Sequence, residues 1–530
     1  MAALLLGRPL TSIALLVLLL SSAAAAEETP SAPQPEQTQA APQPANPSPG
    51  PQPRRDQAQS PHEQGVDPPA AEKGRLPADS VTHQTIALMD RRLAFTATAG
   101  SIRLADDKGE PEADIAYTAY QLDGQDTATR PVTFFFNGGP GSASAWLQLG
   151  NTGPWRIAMS GEALSASAPP ELHPNAETWL DFTDLVFIDP VGTGYSHFAT
   201  SKEEVRKRYL SVEGDARSIA LTIRRWLEQH NRLTSPKFVV GESYGGIRGP
   251  KVVRYLQSRE GVGVRGLILI SPVIDFREYG GTSLLHYVAS LPTMAAVARE
   301  AKAPVTRADM ADVEHYAATD FLIDLVKGEV DTDATNRVAD RLADLTGLDR
   351  AVTRRLAGRL DANEFRREFD RRNGRVTGAY DASVSGIDPY PDSSFYHFED
   401  PSGDPLIAPL TSAVVDLTRT RLNWRPEGSY QLLNSAVNDA WDWKHGPNPP
   451  GSIGQLRQIL AGDPKLKLVV AHGLFDLVAP YFGSKMLLDQ LPAYAGHGRV
   501  KLVVYPGGHM FYSRDASRQA LRSEAEAMMK

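Results

Sequence analysis

The sequence predicts an α/β fold in which helices cover both faces of a mostly parallel β-sheet. Five short, mostly apolar segments support this prediction, because nearly continuous apolar strands are typical of a sheet covered on both faces. The five segments are residues 132–136, 184–188, 237–240, 465–471 and 500–504. A turn that contains Gly, Asp or His follows each of them. In open α/β sheets the chemistry gathers at the carboxyl ends of the strands, so we expect a site where these turns meet.

Two earlier segments alternate between polar and apolar residues. Residues 94–99 and 115–120 show this alternation, which is typical of antiparallel strands. The pair Asp123-Gly124 favours a turn after them. We therefore expect an opening hairpin at the edge of the sheet.

The N-terminal residues predict an export signal. Arg8 supplies a positive charge, residues 10–20 are almost entirely apolar, and residues 21–26 are small. This pattern predicts a signal peptide over 1–26, cleaved after Ala26, and therefore a periplasmic or secreted protein. An uncleaved membrane anchor is the alternative, although the apolar run is short for a full span.

Composition separates a linker from a large folded part. Residues 27–78 are rich in Pro, Ala and Gln and nearly free of large apolar side chains, so we predict a disordered linker. The formal net charge is −8 and no basic run stands out, which argues against a nucleic-acid partner. The chain has no cysteine and hence no disulfide, so its stability must come from the size of its core.

Residues 241–245, Gly-Glu-Ser-Tyr-Gly, contain the candidate nucleophile. They follow the strand predicted at 237–240 and precede a segment, 250–257, that is compatible with a helix. Strand, tight turn and helix are the context of a nucleophile elbow, in which a sharp turn exposes a serine hydroxyl at the end of a sheet. Ser243 is therefore the predicted nucleophile.

Two residues near the C-terminus complete a candidate triad. Asp476 and His509 lie in the turns after the last two predicted strands, and the order Ser, Asp, His is that of the α/β-hydrolases. Ser243 needs a base to be nucleophilic at neutral pH, and His509 can take its proton and return it to the leaving group. Asp476 would fix the imidazole tautomer and stabilise the imidazolium.

Other aspartates compete with Asp476 for this role. Asp463 precedes the strand and Asp489 lies well inside the next helix, so both would be badly placed. Asp189 also ends a strand but precedes the serine, so the chain order disfavours it.

Residues 137–141, Asn-Gly-Gly-Pro-Gly, follow the strand at 132–136. Acyl transfer develops negative charge on a carbonyl oxygen, and amides in a glycine turn can point at it without a side chain in the way. We therefore predict that the amides of Gly139 and Tyr244 form an oxyanion hole. Without Ser243 downstream, a plain structural turn would be the better interpretation.

Four of these motifs together resemble those of the serine carboxypeptidases, a branch of the α/β-hydrolases that removes C-terminal residues from peptides. The resemblance covers about residues 115–275 and 465–515. The motifs are Asn-Gly-Gly-Pro-Gly-Ser at 137–142, Phe-Ile-Asp-Pro-Val-Gly-Thr-Gly-Tyr-Ser at 187–196, Gly-Glu-Ser-Tyr-Gly-Gly at 241–246 and Gly-Gly-His-Met at 507–510.

The resemblance implies a role for each matching residue. The catalytic triad of the family corresponds to Ser243, Asp476 and His509. Its oxyanion amides correspond to Gly139 and Tyr244, and the group that binds the terminal carboxylate of the substrate corresponds to Asn137, Gly138 and Glu242. A glutamate helps to bind an anion only when it is protonated, so this site would favour activity at acidic pH.

One position departs from the pattern of the family. Where the family commonly has Glu-Leu-Gly-Pro, residues 151–154 read Asn-Thr-Gly-Pro. In the family that glutamate hydrogen-bonds the one before the nucleophile, so Asn151 would offer Glu242 a neutral amide instead. We therefore expect a weaker upward shift of the pKa of Glu242 and an altered pH profile.

The sheet pattern stops between about residues 279 and 429. Segments 307–328 and 332–372 have apolar residues three or four apart, as helices do, and 388–405 reads as a long loop. We predict a mainly helical cap that shapes the substrate pocket; a surface decoration far from the site is the alternative. The predicted parts of the hydrolase are 79–278, the cap 279–429, and 430–530.

No metal or cofactor is predicted. Asp312, Glu314 and His315 form a local polar cluster without a recognised ligand spacing, so a solvated helix face is expected. Some aromatic side chains are candidates for the pocket, although core packing is the default expectation. They are Tyr390, Phe395, Tyr396 and Trp441.

The sequence thus predicts an exported serine carboxypeptidase that hydrolyses peptides through an acyl-enzyme on Ser243. An esterase or acyltransferase on the same framework is the alternative, because the same triad serves esters. Asn137 and Glu242 favour the peptidase, whereas Asn151 keeps the esterase open. A silent binding protein is disfavoured, because every catalytic position holds a competent residue.

Overall fold

The computed structural model describes most of the chain from Gly74 onward. The described ranges are 74–279, 283–393, 399–443, 449–493 and 498–530. All of them belong to the unit Ala71–Lys530. The predicted signal peptide 1–26, residues 27–73 of the predicted linker, and the aromatic residues Phe395 and Tyr396 lie outside the described residues.

The strands of the described residues form one large sheet and two small ones. They are β1 (Ser80–Ala87), β2 (Arg92–Ala105), β3 (Pro111–Leu122), β4 (Val132–Phe136), β5 (Trp155–Arg156), β6 (His173–Pro174), β7 (Asp184–Ile188), β8 (His197–Phe198), β9 (Lys237–Glu242), β10 (Gly266–Ile270), β11 (Arg375–Thr377), β12 (Ser385–Ile387), β13 (Lys467–Gly473) and β14 (Val500–Tyr505). The large sheet has the order β1-β2-β3-β7-β4-β9-β10-β13-β14, and β8 pairs with β3 beside it. The small sheets pair β5 with β6 and β11 with β12.

The large sheet is antiparallel at one edge and parallel elsewhere. The pairs β1–β2, β2–β3 and β3–β7 are antiparallel. From β7 to β14 every neighbouring pair is parallel. The parallel part contains all five predicted apolar segments, so the predicted fold class is confirmed. The predicted opening hairpin is formed by β2 and β3, and β1 adds an outer strand that was not predicted.

Helices connect the strands and cover the sheet. Within the described residues they are α1 (Ala145–Leu147), α2 (Glu203–Tyr209), α3 (Val212–Gln229), α4 (Gly245–Ser258), α5 (Leu284–Glu300), α6 (Ala311–Tyr316), α7 (Leu322–Lys327), α8 (Thr332–Thr346), α9 (Arg350–Arg355), α10 (Ala362–Glu368), α11 (Ile407–Asp416), α12 (Ser435–Asp439), α13 (Ile453–Gly462), α14 (Tyr481–Asp489) and α15 (Asp515–Met529). No helix in this described part of the chain has the length and apolar character needed to cross a membrane.

The central strands divide their side chains between two cores, because successive residues of a strand point to opposite faces. In β4, Phe135 packs in one core and Phe134 in the other. The first core contains Leu521 of α15, and the second contains Ile219 of α3 and Val252 of α4. Both faces of the sheet are therefore covered, and the strand ends remain as the place where loops from different strands meet.

The segment predicted as the cap is mainly helical, from α5 to α11, and the short strands β11 and β12 interrupt it. Helix α8 illustrates why these residues are helical. Its N-cap Asp331 accepts a hydrogen bond from the Ala334 amide, and it ends at Gly347, whose φ of 72° suits a glycine. Val338 and Leu342 face a third core, which also contains residues that follow β13. The domain boundaries at 278 and 429 stay predictions.

Candidate active site

Ser243 lies in a sharp turn between β9 and α4. Its φ is 60°, in the left-handed region that non-glycine residues rarely adopt, so neighbouring contacts must hold the turn. The Ser243 amide donates to the Ile270 carbonyl at the end of β10 (2.9 Å), and the Val273 amide donates to the Ser243 carbonyl (3.0 Å). A Cβ on Gly246 would lie 2.4 Å from the Val273 oxygen, so only glycine fits there. The turn thus has the strand-turn-helix context of a nucleophile elbow.

Asp476 and His509 lie in the turns after β13 and β14, and their side chains meet. His509 Nδ1 and Asp476 Oδ2 are 2.7 Å apart, and both side chains are buried. Asp476 Oδ1 accepts from the amides of Val478 (2.8 Å) and Ala479 (2.9 Å). Burial lowers the pKa of His509, but the charge of Asp476, the hydrogen bond with it and the charges of Glu242 and Asp400 together raise this pKa above its usual value. With Nδ1 held by Asp476, Nε2 is the nitrogen that remains for Ser243.

The competing aspartates have other partners. Asp463 caps the C-terminus of α13 and accepts from a nearby backbone amide. Asp489 forms an ion pair within α14. Asp189 is buried and accepts a backbone and a hydroxyl hydrogen bond. The aspartate beside the histidine is therefore Asp476.

The predicted cap is attached to the two turns that carry Asp476 and His509. The His509 amide donates to the carbonyl of Tyr380 (2.5 Å), and the Ala382 amide donates to the carbonyl of Phe475 (3.0 Å). The Tyr380 ring also lies against the His509 imidazole, with 5.3 Å between ring centres. Sequence reasoning missed this attachment, because backbone pairing between distant segments has no local signal.

The turn 137–141 lies against the nucleophile turn. A Cβ on Gly138 would lie 2.5 Å from the backbone nitrogen of Tyr244, so this approach requires a glycine. Gly139 has a φ of 97°, in the region that favours glycine. Within the described residues, neither the Gly139 amide nor the Tyr244 amide donates to a protein acceptor. Two unengaged backbone donors beside Ser243 are what an oxyanion hole requires, and this role stays a prediction.

Glu242 immediately precedes the nucleophile and is only 3% exposed. Its Oε1 accepts from Asn137 Nδ2 (2.9 Å), and its Oε2 accepts from the Tyr512 hydroxyl (2.8 Å). Burial raises the pKa of Glu242 to about 7, against the opposing effects of His509 and of the two hydrogen bonds. In mildly acidic solution the side chain is therefore protonated, and a protonated carboxyl can donate a hydrogen bond to an anion.

The expectation that Asn151 hydrogen-bonds Glu242 is wrong. The Asn151 side chain is fully buried, but neither its amide nitrogen nor its amide oxygen has a hydrogen-bond partner within the described residues. The second hydrogen bond to Glu242 comes instead from Tyr512. Sequence reasoning missed Tyr512 because it lies 270 positions from Glu242 and its neighbours give no hint of the contact.

A cavity of about 170 Å³ brings most of the predicted site residues together. Ser243 and His509 both line it. The remaining predicted residues on its wall are Asn137, Gly138, Gly139 and Glu242. Asp476 contacts His509 and Tyr244 follows Ser243 in the chain, but neither of them lines the cavity itself.

Part of the wall of this cavity comes from the predicted cap. Tyr380, Gly403, Asp404 and Ile407 line it, and all four belong to the second half of the segment 279–429. Among the described lining residues, none comes from α6 to α10. The predicted cap therefore reaches the pocket, but through its C-terminal loops and the start of α11.

The other candidate residues have structural partners. Trp441 is buried and packs edge-on against the Tyr244 ring at 5.6 Å, whereas Tyr390 is largely exposed. Glu314 forms an ion pair with Arg307, at 3.0 Å, so the polar cluster on α6 belongs to a network of ion pairs. The described residues contain no group of three or more His, Cys, Asp or Glu that could hold a metal ion.

Residues 94–311 match the model of the family Peptidase S10, described as serine carboxypeptidase. Among curated proteins, the chain is similar to serine carboxypeptidase-like 13 of Arabidopsis thaliana, with 29% identity over 148 residues, which are 27% of this chain and 33% of that protein. It is also similar to serine carboxypeptidase-like 17 of Arabidopsis thaliana, with 27% identity over 175 residues, which are 32% of this chain and 38% of that protein. The aligned part spans about a third of the length of these relatives.

Among solved structures, the fold is similar to that of Kex1(delta)p, a prohormone-processing carboxypeptidase from Saccharomyces cerevisiae. The TM-score is 0.52 and the sequence identity 16%, over 82% of this chain and 91% of that chain. At this identity the likeness concerns the fold alone. The family match contains the motifs at 137–142, 187–196 and 241–246, and so confirms the resemblance to the serine carboxypeptidases.

Proposed function

We propose that this chain, which resembles the serine carboxypeptidases over residues 94–311, is a serine-type carboxypeptidase that removes the C-terminal residue of peptides. One observation carries the proposal. Glu242 and Asn137 are hydrogen-bonded to each other (2.9 Å) on the wall of the cavity that Ser243 also lines. Hydrolysis of a neutral ester gives a buried carboxyl beside the nucleophile no role, whereas a protonated Glu242 can donate a hydrogen bond to the free carboxylate of a peptide.

The substrate carboxylate is bound by donors from two turns. A protonated Glu242 donates its proton, and the amide of Gly138 supplies a backbone N–H. The carboxyl of Glu242 keeps lone pairs for Asn137 and Tyr512 when it is protonated, so these contacts persist. This arrangement places the last residue of a peptide with its peptide bond towards Ser243.

Hydrolysis then takes two steps. The Ser243 oxygen attacks the carbonyl carbon of the C-terminal peptide bond while its proton passes to His509 Nε2, and the Gly139 and Tyr244 amides stabilise the oxyanion. The C–N bond breaks as His509 returns the proton to the leaving amine, which departs as the free C-terminal amino acid. His509 then takes a proton from a water molecule, whose oxygen attacks the acyl ester. The ester C–O bond breaks as His509 returns this proton to the Ser243 oxygen, which releases the shortened peptide.

An N-blocked dipeptide and its C-terminal amide test this proposal. The purified protein should release the last amino acid from the free acid and leave the amide intact, because only the free acid offers a carboxylate. Ser243→Ala is the blank and should reduce cleavage of the free acid to background. Equal cleavage of acid and amide would contradict carboxylate recognition. Hydrolysis of a simple ester with neither peptide cut would favour the esterase or acyltransferase.

We also propose that the protein is exported to the periplasm or secreted, with cleavage after Ala26. The basis is the charged, apolar and small-residue order of residues 1–26. Mass spectrometry of the mature protein should find Glu27 as its first residue. An N-terminus that still contains residues 10–20 would contradict cleavage and favour the membrane anchor.

A further inference from the structure

Arg248 is a buried cation directly beneath the two turns of the site. It lies in the second turn of α4, five positions after Ser243, and is 1% exposed. Its Nε donates to Asp215 Oδ2 (2.7 Å) and its Nη2 donates to Asp215 Oδ1 (3.1 Å). Asp215 in α3 is equally buried. The two charges thus neutralise each other through a bidentate contact, which is the geometry that a guanidinium favours.

A further donor of Arg248 reaches the turn 137–141, which carries the predicted carboxylate-binding residues. Nη1 donates to the backbone carbonyl oxygen of Asn137. The guanidinium also lies near the faces of the Phe136 and Tyr244 rings, with its carbon 5.7 Å and 5.1 Å from the ring centres. Arg248 therefore connects the helix that begins at the nucleophile to the turn that carries the predicted carboxylate donors.

The contact orients and polarises one peptide group. The carbonyl of Asn137 and the N–H of Gly138 belong to the same trans peptide and so point in opposite directions. A guanidinium on the carbonyl side fixes the N–H on the other side, where Gly138 lines the cavity. A donor to the carbonyl also strengthens the N–H as a donor, because linked hydrogen bonds polarise one another.

We propose that Arg248 is a positioning residue for the recognition of the substrate carboxylate, acting through the Asn137–Gly138 peptide group. The inference rests on the proposed carboxypeptidase function. Because Asp215 neutralises Arg248, the residue does not attract the substrate by its net charge; it acts through the hydrogen bond to Asn137. A buried ion pair contributes little stability compared with apolar packing. A role in the site therefore explains the burial of Arg248 and Asp215 better than stability does.

The double variant Arg248→Met/Asp215→Leu tests the proposal, because it removes both charges and leaves neither unpaired. Its substrates are an N-blocked dipeptide and the methyl ester of the same dipeptide, which has no free carboxylate. We expect kcat/KM for the free acid to fall about 10- to 100-fold, mainly through KM, with the ester changed less than about threefold. Arg254→Met is the matched control in the same helix, since the Arg254 guanidinium is exposed on the surface and bonds Gln458; it should change neither substrate.

Parallel losses on acid and ester would overturn the proposal, because they would indicate a general structural role. Unchanged kinetics on both substrates would overturn it as well. If the wild-type protein hydrolyses the ester but no free acid, the proposed function itself fails, and the role of Arg248 in carboxylate recognition fails with it. These outcomes are distinguished by the wild-type acid-to-ester ratio, which is measured first.

A second measurement covers the case in which the double variant does not fold. Arg248→Lys keeps the positive charge, but a lysine ammonium lacks the planar set of donors with which Arg248 bonds Asp215 and the Asn137 carbonyl at the same time. An N-acetyl amino acid has a free carboxylate, as the last residue of a peptide substrate has. It should therefore inhibit ester hydrolysis by the wild type. We expect its inhibition constant to rise about tenfold or more in Arg248→Lys, with ester kcat nearly unchanged. An unchanged inhibition constant would overturn the proposal.

Discussion

Three buried ionisable side chains determine how the candidate site responds to pH. Glu242, Asp476 and His509 are each at most 3% exposed. In the proposed mechanism, catalysis needs a neutral His509 as the base, whereas carboxylate binding needs a protonated Glu242. These requirements run in opposite directions with pH. The pH dependence of kcat/KM for a free-acid peptide is therefore expected to be bell-shaped.

The alkaline limb of this profile is assigned to Glu242, whose pKa is raised to about 7. The group is protonated below this value and ionised above it, so kcat/KM for a free-acid peptide falls as the pH rises through about 7. The methyl ester offers no carboxylate, so its profile keeps the acid limb and lacks this alkaline fall. Steady-state kinetics between about pH 5 and 9 with both substrates checks the assignment. If kcat/KM for the free acid and for the methyl ester fell over the same alkaline pH range, the assignment to Glu242 would be contradicted.

Tyr512→Phe should move the alkaline limb to higher pH. The hydroxyl of Tyr512 donates to Glu242 at 2.8 Å and so favours the ionised carboxylate. Without this donor the pKa of Glu242 rises further, and carboxylate binding persists to more alkaline pH. The same free-acid kinetics measures the shift. Tyr505→Phe is the control, because Tyr505 lies in β14 outside the cavity; a shift to lower pH in Tyr512→Phe would contradict the account.

For single residues of the candidate site, the sequence predicts those that lie in motifs, but it does not predict the partners that are distant in the chain. Ser243, Asp476 and His509 follow apolar strands in a recognisable order, and the structure brings the last two into contact. Tyr512 and Arg248 lie close to motifs as well, but their importance depends on contacts with residues far away in the chain. The Asn151 expectation failed for the same reason, since a family pattern does not specify which side chain turns towards Glu242.

At the scale of the elements, the site depends on two backbone turns that touch. The turn 137–141 follows β4, and the nucleophile turn follows β9, which is the neighbour of β4 in the sheet. Parallel neighbours end at the same edge, so their turns are brought together by the sheet itself. At Gly138 the two turns are so close that an added Cβ would lie 2.5 Å from the Tyr244 nitrogen.

Gly138→Ala should therefore reduce kcat/KM for acid and ester substrates alike, by about 100-fold or more, because the added methyl pushes the oxyanion turn away from Ser243. Gly454→Ala is the matched control: an added Cβ there meets nothing within 4 Å, and the residue lies in α13. Kinetics and thermal unfolding of both variants check the prediction. Near-normal activity of a folded Gly138→Ala would contradict the proposed oxyanion hole between the two turns.

The central strands β4, β7 and β9 were predictable because their apolar runs are buried on both faces, and β14 because its run is apolar although it is only half-buried. The turns were predictable because each contains a glycine, an aspartate or a histidine. The run of β10, Gly-Leu-Ile-Leu-Ile, carries the same signal and was not assigned. Helix α4 begins at Gly245, five residues before its predicted start. Successive glycines are poor helix formers, so sequence propensity disfavours this beginning, and the packing of the turn against Val273 overrides it.

At the scale of the whole molecule, the segment predicted as the cap lines part of the cavity and pairs with the turns that carry Asp476 and His509. Tyr380 and Ala382 pair with the backbone of His509 and Phe475, on the turns that follow β14 and β13. A Cβ on Gly508 would lie 2.0 Å from the Tyr380 carbonyl oxygen, so this pairing also requires a glycine. These residues of the segment thus lie at the candidate site, and the boundaries of the cap stay predictions.

Ile407→Ala should change substrate preference without removing activity. Ile407 is the first residue of α11 and lines the cavity from the cap side. A smaller side chain enlarges the cavity, so kcat/KM for a bulky residue next to the scissile bond should rise relative to that for alanine, by about tenfold. A series of N-blocked dipeptides measures this ratio. Ile323→Ala, on the exposed face of α7, is the control, and an unchanged ratio in Ile407→Ala would mean that the cap does not set preference.

The position of the cap could not be predicted from the sequence. Its helices follow from apolar spacing and capping residues, which are local signals. Its contact with the triad depends instead on backbone pairs such as Ala382 to Phe475, which are separated by many residues and carry no side-chain pattern.

Product analysis with one longer peptide tests the central claim most directly. The protein is incubated with an unmodified peptide of about ten residues and with its C-terminally amidated form, and mass spectrometry follows both over time. The account predicts a ladder of products that are each one residue shorter at the C-terminus, no cleavage of the amidated peptide, and no products with Ser243→Ala. Internal cleavage, or equal trimming of the amidated peptide, would contradict it.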